Sequence, residues 1–269
     1  MLKTLRTEQV GKLTLRLLQT DDGYLGAIIG GKAVPHLHGH DPEQLWAKLR
    51  AEVGKASPHY FGFDGARTRF LRLFPDGFAG AQFARQERDY KLAASNYLNQ
   101  SLPLEKALNA EANDWEAAAR AYSKTNMLST FEQARTREVL KSNDGAAFIR
   151  ACAQLASGEV APALREIERI VQPFGPPSWP AATYLPFLWR PASHMFLKPE
   201  VTKDFAARVG HVFAQTYGPR LDVGVYGALL DLAMETTREL QDLGPRDFID
   251  VQSFIWIVGA YEDSDVSAQ

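Results

Sequence analysis

Cysteine is nearly absent from this chain of 269 residues; Cys152 is the single one. A disulfide framework is thereby excluded, and a reducing compartment is expected. No basic segment followed by an apolar run opens the sequence, so no signal peptide is expected. Charge is missing altogether from residues 170–189, a length that suggests a membrane span. Five prolines inside that run rule against a transmembrane helix. Fixed-period repeats and low-complexity tracts are also lacking, which argues against a solenoid. What is present, 45% hydrophobic and 23% charged residues, is ordinary for a globular protein. The expectation is a cytoplasmic protein with no membrane contact and no cofactor.

Charge is unevenly spread. Residues 1–100 carry 14 Lys/Arg against 10 Asp/Glu, and residues 101–269 carry 16 against 22. A basic first part and an acidic last part could dock on one another, in one chain or in a homodimer. They could also leave the basic face to an anionic partner.

Hydropathy periodicity divides the chain near residue 78. Residues 12–19 alternate, with Leu13, Leu15 and Leu17 on one side, and read as a strand. Asp21-Asp22-Gly23 makes a turn into a second strand over 24–29, and a third is expected over 33–38. Asp41, Pro42 and Gln44 then supply an N-cap, a first-turn proline and a capping-box residue for a helix to about residue 53. Residues 68–74, which alternate apolar with basic side chains, are predicted to be a fourth strand. From residue 81 onward the pattern is helical, over about 81–99, 115–124, 130–141, 146–157, 160–171, 199–217, 222–243 and 248–258. The fold class is therefore α+β: a small β-β-β-α-β module over 1–78, then a helical body over 79–269. Residues 173–199 hold seven of the 15 prolines. They are predicted to form an irregular apolar strap pinned by Trp179, Tyr184, Phe187, Trp189 and Phe196.

Several residue patterns bear on chemistry. The spacing of GAIIGGK over 26–32 matches a phosphate-binding loop, but Ala33 stands where magnesium needs Ser or Thr, and a hairpin turn is the better reading. His36, His38 and His40 are candidate metal ligands, two of them on one strand face. They lack a local acid or cysteine to complete a site, and a solvated strand end is the commoner case. Asp76, Glu87, Asp89 and Lys91 match the letter of the PD-(D/E)xK nuclease pattern, in which carboxylates hold a metal ion that activates water. A helix over 81–99 would send Asp89 and Lys91 to different sides. Arg67, Arg69, Arg72, Arg85, Arg88 and Lys91 are interleaved with Phe70, Phe74, Phe78, Phe83 and Tyr90. Such a set can grip phosphates and stack bases, or it can be solvated arginines around a buried aromatic core. Lys198, just ahead of the helix at Pro199, is a further anion-binding candidate. Cys152 reads as a core thiol.

Two stretches, ASPHYFGFDGARTRFLRLFPDGF with ERDYK and HMFLKPEVTKDFAARVG with PRDFIDVQSFIWIVG, resemble an uncharacterised bacterial protein family along nearly the whole chain. The closing pattern also looks like one found in proteins around restriction and DNA-processing genes. No catalytic residue comes with the resemblance. The leading expectation is a non-enzymatic binding or adaptor protein that contacts nucleic acid or an acidic protein surface through Arg67–Lys91. The alternative is a metal-dependent nuclease or hydrolase.

Overall fold

Backbone hydrogen bonds rather than side chains establish the first strand. In the computed structural model, which describes residues 2–10, 13–30, 36–54 and 61–261, Lys3–Val10 forms β1. It pairs with β2 (Leu13–Thr20), although nearly every side chain on it is exposed. The sheet continues through β3 (Gly23–Ile29) to β4 (Leu37–Gly39), all antiparallel in the order β1-β2-β3-β4. Leu15 and Leu17 turn inward from β2, as alternation requires, and meet Leu45, Trp46 and Leu49 of α1 (Pro42–Gly54). Gly26 makes that approach possible: a Cβ there would lie 2.7 Å from Leu49 Cδ1. Asp41 caps α1 as the sequence implies, its Oδ1 accepting from the amides of Glu43 (2.9 Å) and Gln44 (3.0 Å).

The chain divides into two compact units, Met1–Ala66 with Lys203–Tyr217, and Arg67–Thr202 with Gly218–Gln269. The later segment joins the first unit through Val212, which is buried in the cluster with Leu15 and Trp46. The expected α+β class therefore stands: an antiparallel sheet near the N-terminus is followed by a mostly helical body. Residues 31 and 32 of the phosphate-loop pattern and 33–35 of the expected third strand lie outside the described residues, while residues 26–29 of that pattern belong to β3.

Two expected elements are corrected. Residues 68–74 do not form a strand; Gly62–Leu73 is a helix, α2. The buried positions Ala66, Phe70, Leu73 and Phe74 recur at helical spacing, and the arginines between them had imitated a two-residue alternation. The proline-rich stretch is likewise not irregular throughout, because Trp179–Trp189 is helical with all eleven residues buried. Pro180 sits in the first turn, where no amide donor is missed, and Ser178 caps the end. Pro186 inside the helix costs about 3 kcal/mol, which burial of the flanking aromatics offsets. The five expected anchors are all buried. Trp189 donates to the Leu102 carbonyl at 2.8 Å, and Tyr122 stacks on Tyr184 at 4.5 Å between ring centroids.

The second unit is built on helices. The first of them, α3, opens as Ala81–Phe83, passes through a π-helical turn at Ala84–Arg88 and continues as Asp89–Ser101. Four more follow: α4 (Trp115–Ser123), α5 (Thr130–Lys141), α6 (Gly145–Ala156) and α7 (Val160–Val171). The buried helix Trp179–Trp189 is α8; Pro199–Val209, α9, begins in the second unit and from Lys203 belongs to the first. Gly210, with φ of 79°, ends α9 earlier than the sequence implied. The last two are α10 (Val223–Glu239) and α11 (Phe248–Ala260). Residues from α2, α3 and α11 share an aromatic core in which Phe70 lies 4.8 Å from Phe78 and 5.1 Å from Phe254 between ring centroids. We expect Phe70→Ala to lower unfolding free energy by about 3–5 kcal/mol in urea titrations. Phe131→Ala, at a side chain that is 76% exposed, should change it by less than about 0.5 kcal/mol.

Candidate functional site

The π-helical turn in α3 gathers three ionisable groups, Glu87, Arg88 and Lys91, on its buried side. Such turns are rare and concentrate at functional sites. Helix α11 supplies their partners. Arg88 forms a two-pronged pair with Asp247, both contacts at 2.8 Å, and a third bond of 2.8 Å to the fully buried Asp250. Asp247 also caps α11, accepting from the Ile249 amide at 2.9 Å. Arg246 closes the other side of Asp250 with its amide and its guanidinium, at 2.9 and 2.8 Å. The hydrogen bond to Asp247 holds the Arg88 guanidinium ionised well above its ordinary range.

Lys91 is 1% exposed. Its Nζ donates to Glu87 Oε2 at 2.7 Å and to Ser253 Oγ at 2.8 Å. Tyr261 completes the set by donating to Glu87 Oε1 at 2.7 Å. Burial draws the Lys91 ammonium down from its usual value, and the adjoining Glu87 carboxylate opposes that shift. Burial also pushes the half-buried Tyr90 phenol upward, so it remains a neutral hydrogen-bonding group.

A cleft of about 460 Å³ opens beside this pair. Gln86, Glu87, Tyr90 and Lys91 line it from α3, and Gln252, Trp256 and Ala260 from α11, with Tyr261 beyond. Residues near the start of α5 and ahead of α9, among them Met127, Ser129, Phe196 and Lys198, close the remaining wall. Lys198 donates to Glu132 at 3.1 Å, and Glu132 closes a capping box with Ser129 at the start of α5. Two of the residues that line the cleft each hold a side-chain oxygen that is sealed from solvent and has no hydrogen-bond partner: Oε1 of Gln252, a residue only 6% exposed, and Oε1 of Gln86. Leaving a buried acceptor unmet costs about 1–3 kcal/mol, so such an atom calls for an explanation.

The residues singled out from sequence are dispersed. Arg67 pairs with Asp242, one contact being 2.6 Å. Arg69 donates to the Val258 carbonyl at 3.0 Å and to the Tyr261 carbonyl. Arg88 and Lys91 are buried in the ion pairs, and Phe70, Phe74, Phe78 and Phe83 form core rather than surface. The expected basic-aromatic surface is thus reduced at its exposed part to Arg72 and Arg85. Of the nuclease-pattern residues, Asp76 and Asp89 are exposed while Glu87 and Lys91 are buried against each other. His36, His38 and His40 are exposed, and among the described residues no group of three or more His, Cys, Asp or Glu is placed to hold a metal ion. Among the described residues, no helix is long and apolar enough to cross a membrane.

Sequence reading missed Gln86, Tyr90 as a cleft residue, Gln252, Trp256 and Tyr261. The available signal was Gln252 itself, a carboxamide in the predominantly apolar last helix, with Trp256 one turn on. Comparison with protein families, curated proteins and solved structures finds no match to this chain. From the ion array we expect Arg88→Ala to lower stability by about 3–5 kcal/mol, because the fully buried Asp250 then loses one of its two guanidinium partners and Asp247 loses its two-pronged pair. Arg85→Ala should leave it within about 0.5 kcal/mol, both read by chemical denaturation.

Proposed function

We propose that this chain is a binding protein whose ligand enters the cleft between α3 and α11. The observation that carries the reading is the cleft itself, about 460 Å³ and lined from both helices by Gln86, Tyr90, Gln252 and Trp256 beside the buried Glu87–Lys91 pair. The volume falls within the range of small-molecule pockets, and the lining sets the rings of Tyr90, Phe196, Trp256 and Tyr261 among a larger share of polar side chains than such pockets usually carry. The ion pairs beneath it act as a rigid floor. Lys91 and Glu87 are each satisfied within the chain, which supports recognition rather than proton transfer as their role. The test is a screen of flat polar fragments against the full-length chain by ligand-observed NMR. Fragments should bind the wild type and be excluded by Ala260→Trp, which fills one wall; fragments that bind both equally would refute the cleft as the site.

Contact with nucleic acid or an acidic protein is a second reading, supported by the exposure of Arg72 and Arg85. Reversing Arg69 and Arg88 cannot test it, since both are committed to internal bonds. Arg72→Glu with Arg85→Glu can. If this reading holds, single-stranded DNA or RNA binds in a salt-sensitive manner and the double variant loses at least about tenfold in affinity by fluorescence anisotropy. Undiminished binding by the double variant would dismiss it.

A further inference from the structure

A groove of about 610 Å³ between α4 and α5 shares no lining residue with the α3–α11 cleft. Residues 124–129 alone join the two helices, and Lys141 at the end of α5 returns over the Trp115 ring at the start of α4, 5.3 Å from its centroid. The helices therefore run antiparallel, and Arg120 and Arg137 stand at about the same height on the two walls. Ala119 and Ala134, small side chains at mid-wall, leave the space between them open. The buried Tyr122 and Leu140 form the floor, and the Tyr122 ring is fixed because its hydroxyl donates to the Ala181 carbonyl at 2.8 Å. Arg120 and Arg137 are exposed, and among the described residues neither guanidinium has a hydrogen bond or a carboxylate partner. Arg135, on the same helix, is by contrast bonded to the Pro176 carbonyl. Arg120 lies over the Tyr97 ring at 6.0 Å, and the side chains of Lys124 and Lys141 likewise engage only rings. Glu116 is the one acid in the lining and forms no ion pair with Arg120 one turn on; Glu138 is exposed and lies outside the lining.

We propose that this groove binds a small organic anion, a carboxylate or phosphate carried on an apolar ring body. A guanidinium fork presents paired donors to such a head, and here one comes from each wall. The ring body would lie on Tyr122 and Leu140. A cationic ligand would meet Arg120 and Arg137 as like charges. The wall from Trp115 to Ser123 is about 12 Å long by the helical rise, a length suited to one small molecule and too short for a polymer track. This site is independent of the α3–α11 cleft, and neither reading requires the other.

The experiment is calorimetric or NMR titration of the full-length chain with 2-naphthyl phosphate, 2-naphthoate, the uncharged 2-naphthol and inorganic phosphate. At least one of the two naphthyl anions should bind at least about tenfold more tightly than either 2-naphthol or inorganic phosphate, and the tighter anion identifies the head group. The double variant Arg120→Gln with Arg137→Gln should lose that advantage while Arg165→Gln, an exposed arginine outside the groove, keeps it. Ala134→Trp, which fills the groove, should abolish binding, and Ala260→Trp in the other cleft should leave it unchanged. Unfolding transitions of each variant, read alongside, establish that the fold is intact. Equal binding of 2-naphthol, equal binding of inorganic phosphate, undiminished binding by the double arginine variant, or no binding of either naphthyl anion overturns the proposal. So does a block by Ala260→Trp in place of Ala134→Trp, which would assign the anion to the α3–α11 cleft.

Discussion

Asp250 is the fixed point of the larger unit. A carboxylate with no exposed surface is tolerable only if its charge is fully compensated, and here two guanidinium groups and an amide converge on it. Each compensating contact constrains an element. Arg88 ties the π-helical turn of α3 to the cap of α11, and Arg246 reaches back to the Phe78 carbonyl at 3.0 Å. Lys91, one turn beyond Arg88, repeats the arrangement with Glu87 and Ser253. Charge satisfaction fixes the rotation of α3 against α11, and that rotation puts Gln86 and Gln252 on the same cleft. Replacing such pairs by apolar residues of equal volume is often neutral for stability. Orientation is what the ions contribute here.

The gross plan was legible in the sequence because it depends on local chemistry. Asp41 with Pro42 marks a helix start, and Ser129 with Glu132 marks another, since a cap acts on amides two or three residues away. The strand over Leu13–Thr20 was legible through its leucine alternation, whereas Lys3–Val10 carried no buried face to give it away. The errors have one cause. Arginines of α2 looked like the polar side of a strand because the sequence does not reveal that Arg67 and Arg69 reach partners about 175 and 190 residues on. Trp179–Trp189 looked irregular because proline counts against a helix locally, and the compensation comes from tertiary burial that no local rule contains.

The candidate site was less legible than the fold. Glu87 and Lys91 were noticed as members of a motif, for the wrong reason; their spacing of four on a helix makes them partners of each other. The basic-aromatic interleaving was real in composition but segregates in space, rings inward and most cations into pairs. A cleft is a property of two helices at once, and no window of one helix's sequence contains it.

The order of synthesis gives the array a further consequence. Arg88 and Lys91 are made some 160 residues before Asp250 and Ser253. While the chain is still growing, Arg88 has no counter-charge to bury against, Lys91 has only Glu87 on its own helix, and the buried helix Trp179–Trp189 lies without Tyr226 of α10, which stacks on Trp179. The second unit therefore cannot close stepwise from its beginning. It must wait for the last helix, and during that interval it is a natural client for chaperones that shield apolar segments.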